Sequence, residues 1–274
     1  MPELPEVQTI INFLNKNINN IEITNVFVKN KKFLKNINEN DFENKIKNSH
    51  FKNIYRIGKY LIFDLSNNLK MVVHLRMEGK FFIDENNLEK RKHDYIIFEL
   101  KNKKFLCYND SRQFGTFHVV DELDNLKEIK KIAIDPLDEK FDFDFLNSKI
   151  NKSKKNIKSL LLEQTIVSGI GNIYASEILF DCKINPFLRG CDLKIDDIKN
   201  IVKSSKKILN LALENQGTTI HSYKITKDEQ GNFQKFLKVV SRENKKCFNC
   251  NNLIKRIKQQ SRSTFYCSNC QNVK

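Results

Sequence analysis

Four of the seven cysteines form two C-x-x-C pairs near the end of the chain. Cys247 and Cys250 make the first pair, and sixteen residues separate it from Cys267 and Cys270. Two such pairs at this distance can close one tetrahedral Zn²⁺ site, with two thiolates from each pair. Four protein ligands fill the coordination shell, so we expect a structural ion with no open catalytic position. The pattern predicts a zinc ribbon, which by itself indicates no particular activity.

The chain begins MPELPEVQ, and these residues could carry nucleophilic chemistry. Initiator Met1 is normally removed when proline follows, and Pro2 would then offer a secondary amine. An α-amine has a pKa of about 8, so an appreciable fraction is neutral and nucleophilic at pH 7. Its attack on a sugar C1′ would give an iminium, an electron sink for elimination, and Glu3 could shuttle protons beside it. The alternative is a proline-rich cap on a helix, with Pro5 in the first turn.

A turn containing two glycines joins two helical stretches in the second half of the chain. It has the sequence SGIGN over residues 168–172, and Asn172 is predicted as the N-cap of the helix that follows. Free N–H groups at such a helix start favour an anion such as a phosphate. An ordinary helix–turn–helix hairpin is the alternative, but Lys154, Lys155 and Lys158 nearby favour the anion.

The composition indicates a basic protein of two domains. The chain has 274 residues, a net charge of +15 and a pI of about 9.4, which favours a polyanionic partner such as nucleic acid. It contains no run of about 18 apolar residues and no signal-peptide pattern, so we expect an intracellular protein without a membrane span. The odd and uneven set of cysteines does not indicate a disulfide framework.

The elements that must position these groups differ between the two halves. Residues 1–132 are predicted to be mainly strands, apart from a helix over LPEVQTIINFLNKNI, whose apolar residues recur at helical spacing. Together they predict a β-sandwich or barrel with one helix packed on it. The predicted strands are IEITNVFVK, KYLIFDL, LKMVVHLRM, KFFID, DYIIFEL and KKFLCYND.

A linker over residues 133–140 precedes a helical region, 141–240, and then the cysteine module, 241–274. Helices are predicted over NIKSLLLEQTIV, NIYASEILFDC and IDDIKNIVKSSKKILNLALENQG, the last ending at Gly217. A loop follows at 217–234. Between the cysteine pairs, LIKRIKQQSRSTFY predicts a cationic β-hairpin directed toward phosphates.

Six motifs occur in order between residues 2 and 271: PELPEV, RIGKYLIF, HLRMEG, NDSRQFGT, LLLEQTIVSGIGNIYASEILF and SRSTFYCSNCQ. With them the sequence resembles the formamidopyrimidine-DNA glycosylases, bacterial base-excision repair enzymes for 8-oxoguanine and ring-opened purines. The resemblance implies an α+β multidomain fold: an N-terminal β-sandwich with a packed helix, a helix–two-turn–helix domain and a zinc-finger hairpin. It also implies a cytoplasmic, nucleoid-associated monomer, double-stranded DNA with oxidised purines or abasic sites as partner, and one structural Zn²⁺ with no redox or nucleotide cofactor.

The resemblance assigns chemistry to four residues. Pro2 would be the Schiff-base nucleophile, and Glu3 the proton donor that helps to open the deoxyribose. Lys59 would contact DNA and assist β-elimination. Arg262, on the finger, would grip a phosphate and assist δ-elimination.

The resemblance also assigns a wedge of Met77, Arg112 and Phe114. A base inside a duplex cannot present C1′ to an amine, so the nucleotide must be flipped out. Apolar side chains inserted at the gap offset the unstacking cost of a few kcal/mol. Further DNA contacts are implied for His74, His93, Arg112, Lys158 and Asn172.

Recognition of the damaged base is implied for the loop over 217–234 and for Glu78. Gly217, Thr218 and Thr219 open this loop, and His221 stands where an arginine is more usual. The link VVSRENKKC into the finger also departs from a more glycine-containing family pattern. These departures leave the lesion preference open.

Three alternatives to a bifunctional purine glycosylase and lyase stay open. An endonuclease VIII-type enzyme for oxidised pyrimidines is less favoured because of Leu4 and the intact wedge. A non-catalytic DNA-binding paralogue is disfavoured by the retained Pro2, Glu3 and Lys59. An RNA-binding zinc-ribbon protein would leave the N-terminal half unexplained.

Overall fold

The computed structural model describes residues 1–85, 88, 91–218 and 231–272. These residues form two compact units, which we describe separately. The first unit comprises Met1–Lys130 with Gln216–Gly231, and the second comprises Lys131–Asn215 with Asn232–Lys274.

The first unit opens with helix α1, Leu4–Ile18, over the residues for which the sequence predicts a helix. Glu3 is the N-cap and Pro5 lies in the first turn, where a missing N–H costs nothing. The face that carries Val7, Ile10 and Leu14 is buried, because apolar residues three or four apart lie on one side of a helix.

Within the described residues of the first unit, eight strands form two four-stranded antiparallel sheets, with strand orders β1-β6-β7-β5 and β2-β3-β4-β8. Side chains from strands of both sheets share one buried core, so the predicted β-sandwich is confirmed. The strands are β1 Ile23–Val28, β2 Phe51–Ile57, β3 Tyr60–Leu65, β4 Lys70–His74, β5 Lys80–Glu85, β6 Asp94–Leu100, β7 Lys104–Asn109 and β8 Thr116–Val120.

Strands β2 and β8 and the helix α2, Glu39–Ile46, are present but were not predicted from the sequence. In β2 the pairing with β3 shifts register between Phe51 and Asn53, which breaks the alternation that marks a strand. Helix α2 buries only Phe42 and Ile46, so its apolar stripe is too short to stand out. A further turn of helix, α3 Lys127–Lys130, lies at the end of this unit.

The second unit contains four helices and a β-hairpin. They are α4 Phe143–Ile150, α5 Ile157–Leu162, α6 Asn172–Asp181, α7 Ile195–Glu214, β9 Ile254–Gln259 and β10 Arg262–Cys267. Strands β9 and β10 pair antiparallel, with Arg262 opposite Gln259 across a turn of two residues. The predicted hairpin between the cysteine pairs is therefore present.

Two predicted helix boundaries in this unit are wrong. Helix α5 ends at Leu162 rather than Val167, because the Gln164 side chain bonds the next turn instead: its Oε1 accepts from Gly169 N (2.9 Å), and its Nε2 donates to Ile170 O (3.0 Å). Helix α7 ends at Glu214, before Gly217.

Across the described parts of the chain, no helix combines the length and the apolar composition needed to cross a bilayer.

Candidate active site

The N-terminal segment of the first unit is buried and hydrogen-bonded. Pro2 and Glu3 are both buried, with Glu3 only 3% exposed. The Glu3 backbone N–H donates to Glu6 Oε2 (3.0 Å), and the Val7 N–H donates to Glu3 O (3.0 Å). Glu3 and Glu6 form a reciprocal capping box at the start of α1. The residue that would carry the terminal amine is therefore attached to a fixed frame.

Glu6 also fixes the start of the predicted recognition loop. Its Oε1 accepts from the backbone N (2.7 Å) and from Oγ1 (3.0 Å) of Thr218. Gly217 has a φ of +72°, and a Cβ added there would lie 2.7 Å from the same Glu6 oxygen. This position therefore requires glycine for its conformation and for its close approach to Glu6. Thr219 and His221 lie outside the described residues.

Lys59 and His74 lie at the same edge of one sheet, Lys59 in a turn and His74 at the end of a strand. Lys59 is buried in the turn between β2 and β3, directly after Gly58, and Tyr60 pairs with His74 of β4. Burial, together with the nearby charges of Arg76 and Lys59, lowers the pKa of His74 from its ordinary 6.5 to about 3. The ring is therefore neutral. Its Nδ1 accepts from Arg76 N (2.9 Å), which leaves the proton on Nε2 as a donor.

The three residues predicted to form the wedge lie on two loops of the first unit. Met77 is 40% exposed and Phe114 is 48% exposed, although both are large apolar side chains. The Arg112 guanidinium lies 4.9 Å from the centre of the Phe114 ring, within range of a cation–π contact. Glu78, next to Met77, is half-buried. The structure thus presents apolar groups and one cation to solvent, as a wedge requires.

His93 is half-buried beside the second of these loops. Its Nδ1 lies 3.3 Å from the Tyr95 hydroxyl, and Tyr95 also accepts from Gln113 Nε2 (2.9 Å). His93 is thereby joined to the loop that carries Arg112 and Phe114.

In the second unit, Lys158 and Asn172 meet at the hairpin next to Arg262. Lys158 is 1% exposed, and its Nζ donates to Ser263 O (2.9 Å) and to Thr264 Oγ1 (2.9 Å). Asn172 Nδ2 donates to the same Ser263 carbonyl (3.0 Å). Arg262 is exposed and lines a cavity of about 220 Å³ together with Lys158, Glu163 and Gln259.

The predicted N-cap role of Asn172 is wrong. Gly171 is the N-cap of α6, and Asn172 is its first helical residue. The Asn172 amide reaches the hairpin because it lies inside the helix start rather than before it. An amide nitrogen carries two N–H donors, so a bond to Ser263 is compatible with a second bond to a phosphate.

The four cysteines of the finger meet at one point. Their sulfur atoms all lie within 4.8 Å of one another, with 3.8 Å between Cys247 and Cys270 and 3.4 Å between Cys250 and Cys267. Zn–S bonds of about 2.3 Å in a tetrahedron place sulfur atoms about 3.8 Å apart, so the cluster fits one Zn²⁺. Four thiolates leave no open position, and the ion is structural.

Family models match most of the chain. The formamidopyrimidine-DNA glycosylase N-terminal domain matches residues 1–117, and the H2TH domain of the same enzymes matches 132–224. A zinc finger found in FPG and IleRS matches 244–273 and so includes all four cysteines. The chain belongs to the formamidopyrimidine-DNA glycosylase family.

Full-length relatives agree with this family. The chain is 48% identical to the formamidopyrimidine-DNA glycosylase of Ureaplasma parvum, over 99% of this chain and 100% of the relative. It is 43% identical to that of Mycoplasma genitalium, over 100% of this chain and 96% of the relative.

Solved structures of the family superpose closely. A variant of the Lactococcus lactis FPG protein, bound to DNA that contains Fapy-dG, matches with a TM-score of 0.94 and 33% identity. The match covers 99% of this chain and all of that one. MutM bound to DNA with carbocyclic 8-oxo-G matches with a TM-score of 0.92 and 32% identity, over the same shares of the two chains.

Glu6 is the site residue of this family member that sequence reasoning missed. The signal was present, because a hydrogen-bonding side chain at Glu3 and a glutamate three residues later form a capping-box pattern before an apolar helix. The link from Glu6 to Thr218 joins residues more than two hundred positions apart, which no local pattern predicts.

Proposed function

We propose that this protein is a bifunctional DNA glycosylase and abasic-site lyase that excises oxidised purines, 8-oxoguanine and formamidopyrimidines. The observation that carries the proposal is the hydrogen-bonded start of α1, where Glu3 and Glu6 fix the backbone beside the buried Pro2. A terminus held in this way suits a nucleophile that must meet one sugar carbon, whereas most chain ends fray. Relatives solved with Fapy-dG, 8-oxo-G and abasic-site DNA support the same substrates here.

The chemistry begins with removal of Met1, which exposes the Pro2 amine. The amine lone pair attacks C1′, the glycosidic bond breaks, and the damaged base leaves with the bonding electrons and takes up the proton that the Pro2 nitrogen loses. Glu3 donates a proton to the ring oxygen as the deoxyribose opens and the iminium forms. Loss of a C2′ proton then expels the 3′ phosphate by β-elimination, and a further elimination expels the 5′ phosphate.

The cationic and polar groups have distinct tasks in this proposal. Lys59 binds DNA and assists β-elimination. Neutral His74 donates a hydrogen bond from its Nε2–H group to a phosphate. Arg262 assists δ-elimination, and Lys158 lies near the backbone of the flipped nucleotide. Asn172 contacts a phosphate at the helix start, and His93 contacts DNA on the first unit. Met77, Arg112 and Phe114 fill the gap left in the duplex. Glu78, Gly217, Thr218 and Thr219 take part in base recognition.

We also propose the domain boundaries 1–132, 141–240 and 241–274, with the linker 133–140 and the recognition loop 217–234. The enzyme acts as a monomer in the bacterial cytoplasm, where the nucleoid supplies its substrate.

The test is covalent trapping with borohydride on a duplex that contains 8-oxoguanine opposite cytosine. We expect an adduct that mass spectrometry maps to Pro2. The Pro2→Leu variant, in which a bulky second residue retains Met1, should give no adduct. Pro5→Ala, which keeps the terminal amine, should still be trapped. Trapping only on an oxidised-pyrimidine duplex would indicate an endonuclease VIII-type enzyme, and tight binding without an adduct would indicate a non-catalytic paralogue.

A further inference from the structure

A buried carboxylate lies directly beneath the loop that carries Arg112 and Phe114. Asp110 is 0% exposed. Its Oδ1 accepts from the Arg112 backbone N (3.0 Å), and its Oδ2 accepts from the backbone N of Phe114 (3.0 Å) and of Gly115 (2.9 Å). One side chain therefore fixes the backbone on both sides of the two wedge residues. Neither the Arg112 nor the Phe114 side chain takes part in these bonds.

The Tyr108 hydroxyl joins this carboxylate to the other wedge loop. It donates to Asp110 Oδ2 (3.2 Å). A Cβ added at Gly115 would lie 1.7 Å from this hydroxyl oxygen, and one at Gly79 would lie 2.5 Å from it. Gly115 directly follows Phe114, and Gly79 lies two residues after Met77. The hydroxyl thus packs against the backbone of both loops at positions where only glycine fits.

The rest of Tyr108 is anchored in the sandwich core. The residue is fully buried, and its ring lies 4.7 Å from that of Phe117 and 5.4 Å from those of Phe33 and Phe81. The aromatic core therefore holds the Tyr108 ring in place, and the hydroxyl oxygen lies next to both loops.

We propose that Tyr108 and Asp110 are positioning residues that set the two wedge loops, 75–79 and 110–115, in a fixed mutual arrangement before DNA binds. The inference rests on the proposed function, because it assigns a purpose to the wedge. Insertion into a duplex requires Met77 and Phe114 to enter one gap together. Loops ordered in advance lose less conformational entropy at that moment.

The backbone of Asp110 and the side chain of Gln113 connect the wedge loop to His93. The Asp110 backbone N donates to His93 O (3.1 Å), and Gln113 reaches His93 through the Tyr95 hydroxyl. His93, a predicted DNA contact, and the loop that carries Arg112 and Phe114 thereby belong to one hydrogen-bonded network.

The test compares two substrates. One is a duplex with 8-oxoguanine opposite cytosine, which must be unstacked, and the other is a single strand with an abasic site, which needs no wedge. For Asp110→Asn we expect kcat/KM on the duplex to fall by about tenfold or more, with cleavage of the single strand within about twofold of wild type. Tyr108→Phe should give a smaller change in the same direction.

Two controls separate positioning from general stability. Asn15→Ala removes side-chain bonds to Ile54 N (3.0 Å) and Ile54 O (2.7 Å) in the same unit, away from the wedge. This variant should lower the free energy of unfolding, but it should change the cleavage of the duplex and of the single strand by the same factor. In a double-mutant cycle, Asp110→Asn should add little to Phe114→Ala, because both act through one loop.

The outcomes distinguish this inference from the proposed function. If wild type cleaves neither substrate, the proposed function fails. If wild type is active but Asp110→Asn affects both substrates equally, or adds its full effect to Phe114→Ala, the positioning role is overturned.

Discussion

Arg112 lies on a tight turn and Arg262 directly follows one, but the two turns are held by different interactions. The Arg112 loop is fixed by hydrogen bonds to Asp110, which rests on a tyrosine of the sandwich core. The Arg262 hairpin is held by four cysteines, and by Lys158 and Asn172 at Ser263 O.

The difference follows from the size of the core behind each turn. The first unit buries a large aromatic core, so a side chain anchored there can hold a loop by hydrogen bonds alone. The finger match spans only residues 244–273, far too few to build a core, and a metal supplies the missing stability.

Zinc removal should have the largest effect, and it should disrupt the Arg262 hairpin while leaving the Arg112 loop intact. Chelation removes an interaction worth about 10 kcal/mol in isolated zinc fingers. We expect the amides of β9 and β10 to lose their protection from hydrogen exchange, while those of β3 and β4 keep it. Added Zn²⁺ should restore the protection. Equal loss in both units would mean that the finger supports the sandwich.

Lys158→Met should have the next largest effect. The change leaves Ser263 O and Thr264 Oγ1 without the Lys158 ammonium as donor, and charge-assisted bonds of this kind suggest a loss of about 3 kcal/mol in the free energy of unfolding. Urea denaturation of the zinc-loaded protein measures it. The exposed Lys154→Met is the matched control and should stay within about 0.5 kcal/mol of wild type. A similar, small change in both variants would show that zinc alone holds the hairpin.

Local patterns in the sequence predicted α1, six of the eight strands of the sandwich and the cysteine cluster. Each of these depends on residues close together in the chain, such as the periodic stripe of Val7, Ile10 and Leu14. The same reasoning missed β2, because a register shift disturbs its alternation.

The supports of the candidate site were not predictable in this way. Glu6 bonds Thr218, and Lys158 bonds Ser263, across long stretches of sequence. Asp110 looks like an ordinary turn residue in NDSRQFGT, and only the fold places the Tyr108 hydroxyl beside it. The resemblance to the family predicted which residues take part in the chemistry. The contacts that position these residues depend on tertiary structure and could be identified only in the fold.

A pH titration should sharpen the description of the first unit, where His74 directly precedes the loop that carries Met77. Its folded pKa of about 3 lies below the ordinary 6.5, so the unfolded chain binds the proton first as pH falls. Stability should therefore be lost below about pH 6.5. Between about pH 7.5 and pH 5 this amounts to about 2 kcal/mol. In urea denaturation, the free energy of unfolding of His74→Gln should fall less over this pH range than that of wild type, by the same amount. Parallel pH curves for the two proteins would contradict the neutral, buried ring.

Glycine substitutions in the two turns should have the smallest effect on the free energy of unfolding. Ser261 and Gln113 both have left-handed backbones, with φ of 66° and 56°, a conformation that costs a residue with a Cβ about 1 kcal/mol. Ser261 is exposed, so Ser261→Gly should stabilise the hairpin by up to about 1 kcal/mol. Gln113→Gly relieves the same strain but removes the bond to the Tyr95 hydroxyl, so the gain should vanish or reverse. Urea denaturation of both variants measures the contrast. Equal stabilisation would mean that Gln113 does not help to hold the wedge loop, and hydrogen bonds to Asp110 would then be its main support.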